Sequence, residues 1–198
     1  CAQDEVETFK VTHPDEWKDW TRAMATAYSL QERVKSRTMD QSATIMAADR
    51  FKDRDAIYYP WQFDFRGRMY PIPTNLTPQG ADLGKGLLEF AEGKPLGTDG
   101  AYWLAVHGAN TYGYDKVTLD NRVAWVQQYQ ELIVDSGNDP LGGQLFWTEA
   151  DKPWEFLAFC IEWAGYVEQG EGYESHLKVA VDGSCNGLQH LSALLRDE

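Results

Sequence analysis

The chain has 198 residues, of which 43% are hydrophobic and 25% charged; this suits one packed core, or one and part of a second, and argues against disorder. Its net charge of −13 weighs against a general nucleic-acid coat, although whole-chain charge says little about one cleft. No apolar run approaches the roughly 18–20 residues of a membrane span. The three cysteines lack CxxC spacing, so they give neither a disulfide framework nor a zinc site and fit a reducing, cytoplasmic setting.

The opening CAQDEVETFK has neither the basic nor the apolar region of a signal peptide. With no initial Met, and an end on Arg-Asp-Glu directly after an apolar helical pattern, the sequence reads as a piece of a longer protein. Residues 14–36 predict a helix, with Trp17, Trp20, Met24, Ala27 and Tyr28 at helical spacing and cations near its end. Thr38-x-x-Gln41 reads as a capping box that opens a second, antiparallel helix through about Arg50. Ala56–Trp61 and Arg68–Ile72 are strand candidates around an Arg66-Gly67 turn.

Beyond the loop Thr77-Pro78-Gln79-Gly80, Asp82 predicts the cap of a short helix over Leu83–Glu92, closed by Gly93. Helical patterns follow over about Asp99–Asn110 and from Thr118 to about Val134, then loop over Ser136–Gly143. Pro153–Glu168 is strongly apolar and helical, ending near Gly170. Lys178–Val181 predicts a strand and Gly187–Leu195 a helix. The order gives a predominantly helical α+β fold, a sheet region interrupted by a helical insertion.

Two stretches bear chemistry. In Val179-Ala180-Val181-Asp182-Gly183-Ser184-Cys185-Asn186-Gly187-Leu188-Gln189-His190, a carboxylate stands at the tip of an apolar strand. Asp182 with the backbone oxygen of Gly183 makes a hard-oxygen pair suited to Mg²⁺; a plain Asp-Gly turn or a helix N-cap explains the same residues locally. In Asp64-Phe65-Arg66-Gly67-Arg68-Met69-Tyr70, two guanidinium forks at one turn suit phosphates, and a hairpin turn with a surface Asp–Arg pair is the bland alternative. Charge is locally reversed here: Arg50 to Arg68 holds five basic and three acidic residues, a net of +2. Lys85, between Gly84 and Gly86, lacks the glycine spacing and the following Ser/Thr of a P-loop. His107 and His190 have no second His at i+4, which argues against zinc, and His107 on its helical pattern reads as structural.

Together the two stretches resemble the single-subunit, phage-type (T7-like and mitochondrial) DNA-directed RNA polymerases. DFRGRMYP is similar to that family's DxxGR segment, and VDGSCNGLQH to its palm motif A. Pro78-Gln79-Gly80, Lys85-Gly86-Leu87-Leu88, Gly93-Lys94-Pro95-Leu96-Gly97, Trp103 with His107-Gly108-Ala109-Asn110, Asp115-Lys116 and Phe156–Cys160 fit in order between them. The ending LLRDE looks phage-like, which implies the cytoplasm of an infected bacterium, while Asn186 is also common on the mitochondrial side.

The resemblance implies part of a right-hand polymerase: palm strands with a helical insertion. Residues 1–55 would be the helical segment before the palm, at the end of the thumb; 56–93 the first part of the palm; 94–175 the insertion; and 176–198 the motif A strand–turn–helix. Asp182 would be catalytic and, with Gly183, would hold Mg²⁺ in two-metal nucleotidyl transfer. Arg66, Arg68, Tyr70 and Lys85 would face nucleic acid, contacts that position without reading sequence. Implied partners are DNA template, RNA transcript and NTPs, with no membrane and no obligate protein subunit. The second metal-binding aspartate is expected outside these residues, so the piece alone is expected to be inactive. A family A DNA polymerase palm and a non-catalytic nucleic-acid-binding module are the alternatives; a glycoside hydrolase would need a carboxylate partner that Asp182 lacks here.

Overall fold

The structure, a computed structural model, describes residues 2–179 and 187–195. Asp182 and Gly183, and the Ala180–Val181 end of the predicted strand, lie outside the described residues. The chain divides into two compact units, Cys1–Asp53 and Arg54–Glu198.

The first unit is a helical pair, α1 (Ala2–Thr12) and α2 (Pro14–Phe51). Pro14 separates them: it has no N–H and pushes the preceding residue out of helical geometry, and His13 sits at φ −132°, ψ 63°. The Phe9 ring stacks on His13 at 4.7 Å, and Lys10 Nζ lies 5.0 Å from the Trp17 ring centroid. Sequence periodicity gave α1 no element. It also divided α2 in two, and this is corrected: the helix runs unbroken through Thr38. No Gly or Pro interrupts residues 36–41, and the Thr38 hydroxyl donates back to the Val34 carbonyl at 3.0 Å. That is the bond of a helix-interior threonine, not of a cap.

The second unit opens with a hairpin, β1 (Trp61–Phe63) and β2 (Met69–Pro71), in antiparallel register with Trp61 opposite Pro71 and Phe63 opposite Met69. The first strand therefore starts five residues later than expected, with Pro60 just outside it contributing only its carbonyl to Ile72 N–H at 2.9 Å. Helix α3 spans only Asp82–Gly86, not 83–92. Its two glycines weaken it, and Gly86 lies so close to α7 (Pro153–Gln169) that a Cβ there would meet the Trp154 carbonyl oxygen at 2.6 Å.

Next come β3 (Lys94–Pro95), α4 (Gly97–Tyr112), α5 (Leu119–Gln128) and α6 (Gln130–Asn138). The single helix expected over 118–134 is broken at Tyr129, at φ −100° and ψ 14°, whose ring stacks on Phe146 at 5.8 Å. Strand β4 is Glu174–Ser175, and Lys178 and Val179 belong to no regular element. Helix α8 occupies Gly187–Leu195, as its pattern predicts.

Helices α4–α7 enclose the core. Leu104, Val126, Ile133, Phe156 and Phe159 are at most 1% exposed, and burying each such side chain contributes about 1.5–3 kcal/mol. β3 pairs antiparallel with β4, Lys94 opposite Ser175 and Pro95 opposite Glu174. This short ladder joins the two ends of the helical block. The described architecture is α+β and predominantly helical. Among the described residues no helix is long and apolar enough to cross a membrane.

Candidate functional site

Asp64 organises the hairpin tip. Its carboxylate accepts the backbone N–H of Arg66 at 2.9 Å and of Arg68 at 3.0 Å, while its backbone closes the turn with Gly67 N–H and Arg68 carbonyl. Gly67 takes φ +78°, left-handed geometry that costs a side-chain-bearing residue free energy. The Arg68 N–H above all holds the Asp64 carboxyl below its ordinary range; burial opposes it, and the side chain and N–H of Arg66 with the Arg68 charge add to the lowering.

The two arginines are not equivalent. Arg66 Nε and Nη2 engage Asp64 Oδ2 at 2.9 and 2.8 Å, and Arg66 Nη2 donates to Tyr70 Oη at 3.4 Å. Its guanidinium carbon also lies 5.6 Å from the Phe65 ring centroid. Arg66 is thus fixed across the turn. Arg68 is exposed, and its guanidinium makes no hydrogen bond or ion pair among the described residues. The hairpin offers one cation fixed by hydrogen bonds and one that makes none among the described residues, flanked by Phe65 at 97% exposure.

Lys85 stands in a second cluster. Its Nζ lies 3.6 Å from Glu155 Oε1 on α7, a buried oxygen with no hydrogen-bond partner. Asp82 does not cap α3, as the sequence suggested. Its carboxylate instead accepts the Trp154 and Glu155 N–H groups at 2.9 Å each, supplying the start of α7 with the cap that Lys152 leaves unmade. Lys178 completes the cluster, donating to the carbonyls of Lys85 and Leu88. Burial lowers its affinity for a proton, opposed by Glu155 and Asp82. So the structure brings Arg66 and Tyr70 together with Arg68 on one hairpin, and Lys85 into a separate acid–base cluster. Sequence reasoning missed Asp82 and Lys178 in these roles; their partners lie 72 to 93 residues away, beyond any local pattern.

His107 is buried on α4, and burial first, then the Lys178 and Lys152 charges, push it down to about 4. It is a neutral core histidine at neutral pH, in keeping with its structural reading. Among the described residues no three His, Cys, Asp or Glu side chains converge as a metal site; the expected metal-holding pair, Asp182 and Gly183, lies outside them.

A family model for DNA-dependent RNA polymerase matches residues 94–198, more than half of the chain and the part that contains Asp182. The chain belongs to the phage-type DNA-dependent RNA polymerase family. It is similar to T7 RNA polymerase of Escherichia phage T7, 42% identical over 186 residues, covering 94% of this chain and 21% of that protein. It is 43% identical to the DNA-directed RNA polymerase of Enterobacteria phage T3 over 181 residues, 91% of this chain and 20% of that one. DNA-directed RNA polymerase 2, chloroplastic/mitochondrial, of Arabidopsis thaliana is 39% identical over 209 aligned positions, all of this chain and 21% of the relative. The chain therefore spans about a fifth of the length of the curated relatives it matches. The family A DNA polymerase and binding-module readings find no support among these polymerases.

Proposed function

We propose that this chain is the part of a DNA-templated RNA polymerase that supplies one metal-binding aspartate and a nucleic-acid-facing hairpin. The observation carrying this reading is that the family match runs through Asp182, in the same chain as a hairpin whose tip presents two arginines. Asp182 and the Gly183 carbonyl would supply a hard-oxygen donor set of the kind that Mg²⁺ favours. When bound, the metal supplies charge stabilisation for transfer of a nucleotide to the RNA 3′-hydroxyl.

The chain's own residues divide the remaining work. Arg68 offers an uncommitted guanidinium to a backbone phosphate of the template or hybrid. Arg66, held by Asp64 and Tyr70, presents its remaining N–H groups in a fixed direction. Tyr70 braces Arg66. Lys85 acts at closer range on Glu155, and contact with nucleic acid would draw it from that pair. We infer a right-hand architecture in which residues 1–55 precede the palm, 56–93 and 176–198 belong to it, and 94–175 is inserted. The β3–β4 ladder, which joins the two ends of that block, supports the insertion. The partners are DNA template, RNA and NTPs, without an obligate protein subunit. By its likeness to the phage enzymes the compartment is the cytoplasm of an infected bacterium.

The test is transcription by the full-length protein containing this chain. RNA should accumulate only with DNA template, all four NTPs and a divalent cation, and chelation should stop it. RNA made without template, or no nucleotide incorporation under any of these conditions, would overturn the reading.

A further inference from the structure

We propose that Lys178 is a positioning residue that ties the segment leading into Asp182 to the α3–α7 corner of the second unit. This rests on the assignment of Asp182 above. Three observations lead to it. The half-buried Lys178 ammonium donates to the Lys85 carbonyl, which also accepts the Leu88 N–H, and to the Leu88 carbonyl, at and just beyond the C-terminal end of α3, where a cation is favoured. Glu155, buried on α7 with an oxygen lacking a hydrogen bond, faces both Lys85 and Lys178 and compensates their charge.

The residues just before Lys178 are bonded in the same direction. Ser175 and Glu174 pair with Lys94 and Pro95, and His176 exchanges bonds with Phe90, its carbonyl accepting at 2.8 Å and its Nδ1 lying 2.7 Å from the Phe90 carbonyl. The chain is thus fastened to residues 85–95 at each of 174, 175, 176 and 178. Lys178 is the last fastening described before Asp182, four residues later in the sequence. It is also the one that reaches α3, which Asp82 in turn locks to the start of α7. Loss of the ammonium would leave the Leu88 carbonyl and one buried carboxylate under-compensated, with only the Leu88 N–H left on the Lys85 carbonyl, and would release the approach to Asp182. A loosened catalytic carboxylate costs turnover more than ground-state binding.

The experiment uses the full-length polymerase with Lys178→Met, Lys178→Gln and Lys178→Arg, reading kcat and KM for NTPs per active molecule, thermal melting, and amide hydrogen exchange. The tether predicts that Lys178→Met lowers kcat by about ten- to a hundredfold, up to the scale of a reacting group misplaced by about 1 Å, with KM changed less than about twofold. Exchange should accelerate over residues 86–90 and 176–179, and Lys178→Arg, which keeps a cation able to reach both carbonyls, should restore both readouts. If Lys178→Met melts before assay, Lys178→Gln is judged by the same two criteria. Faster exchange with unchanged kcat would make Lys178 a purely structural residue and overturn the proposal, as would lowered kcat with unchanged exchange. Asp182→Asn serves as the control. If it retains RNA synthesis, the site assignment fails whatever Lys178 does. If it is inactive while Lys178→Met matches wild type, only the tether fails.

Discussion

The helical block and the DFRGRMY hairpin are built on opposite plans. The block hides its aromatics: Phe156 and Phe159 are fully buried, and Phe159 packs between Phe156 at 5.6 Å and Trp163 at 5.8 Å. The hairpin exposes its aromatics, Phe65 at 97% and Phe63 at 73%, and holds its shape through one carboxylate and a glycine turn. One region owes its geometry to burial, the other to a handful of hydrogen bonds. Stability and function are therefore expected to respond to different residues.

The sharpest break of that contrast comes from the core. Phe159→Ala should destabilise the second unit by about 3–5 kcal/mol, and Phe65→Ala by less than about 0.5 kcal/mol, both measured by urea unfolding followed through Trp fluorescence. Equal effects would dissolve the distinction.

A pH scan sharpens the same boundary. His107 is held at about 4 when folded, against 6.5 for its ordinary value. Between those values the unfolded chain binds a proton that the folded chain refuses, so stability falls as pH drops from about 6.5 toward 4. By linkage the loss approaches about 3 kcal/mol. His176 is shifted upward, first by its bond to the Phe90 carbonyl, so its contribution is already present below about 6.5 and is lost as pH rises above that, outside the His107 window. His107→Gln should flatten the slope of unfolding free energy against pH over this window; an unchanged slope would show that His107 does not carry it.

The smallest effect on stability, and a selective one on binding, belongs to the hairpin. Arg68→Ala in the full-length protein should leave the melting temperature unchanged and weaken template binding. The dependence of log K on log salt should become shallower by about one phosphate contact. An identical salt slope would remove Arg68 from the nucleic-acid interface.

Much of this division was legible in the sequence, for physical reasons. Helix α7 was read almost to the residue because Pro153 marks its start, Gly170 its end, and the apolar period between them is strong. Gly67 located the hairpin turn, and the bland Asp–Arg pair expected there exists, between Asp64 and Arg66. Local signals misled where tertiary contacts decide. Thr38 resembles a cap, yet bonds backward inside α2. Asp82 resembles the cap of its own helix, yet caps α7. Tyr129 breaks a helical pattern through the seat of its ring on Phe146, and no local spacing announces that. For the candidate site, the motif residues were nameable, whereas the separation of Lys85 from the hairpin arginines and the role of Lys178 depend on pairings far apart in sequence.

The central claim is that Asp182 carries chemistry and not structure. Its most direct test is Asp182→Asn in the full-length protein containing this chain, with elongation, template binding and melting temperature measured on the same preparation. Elongation should be abolished while template binding and melting temperature stay at wild-type values. Elongation near wild type would contradict the claim.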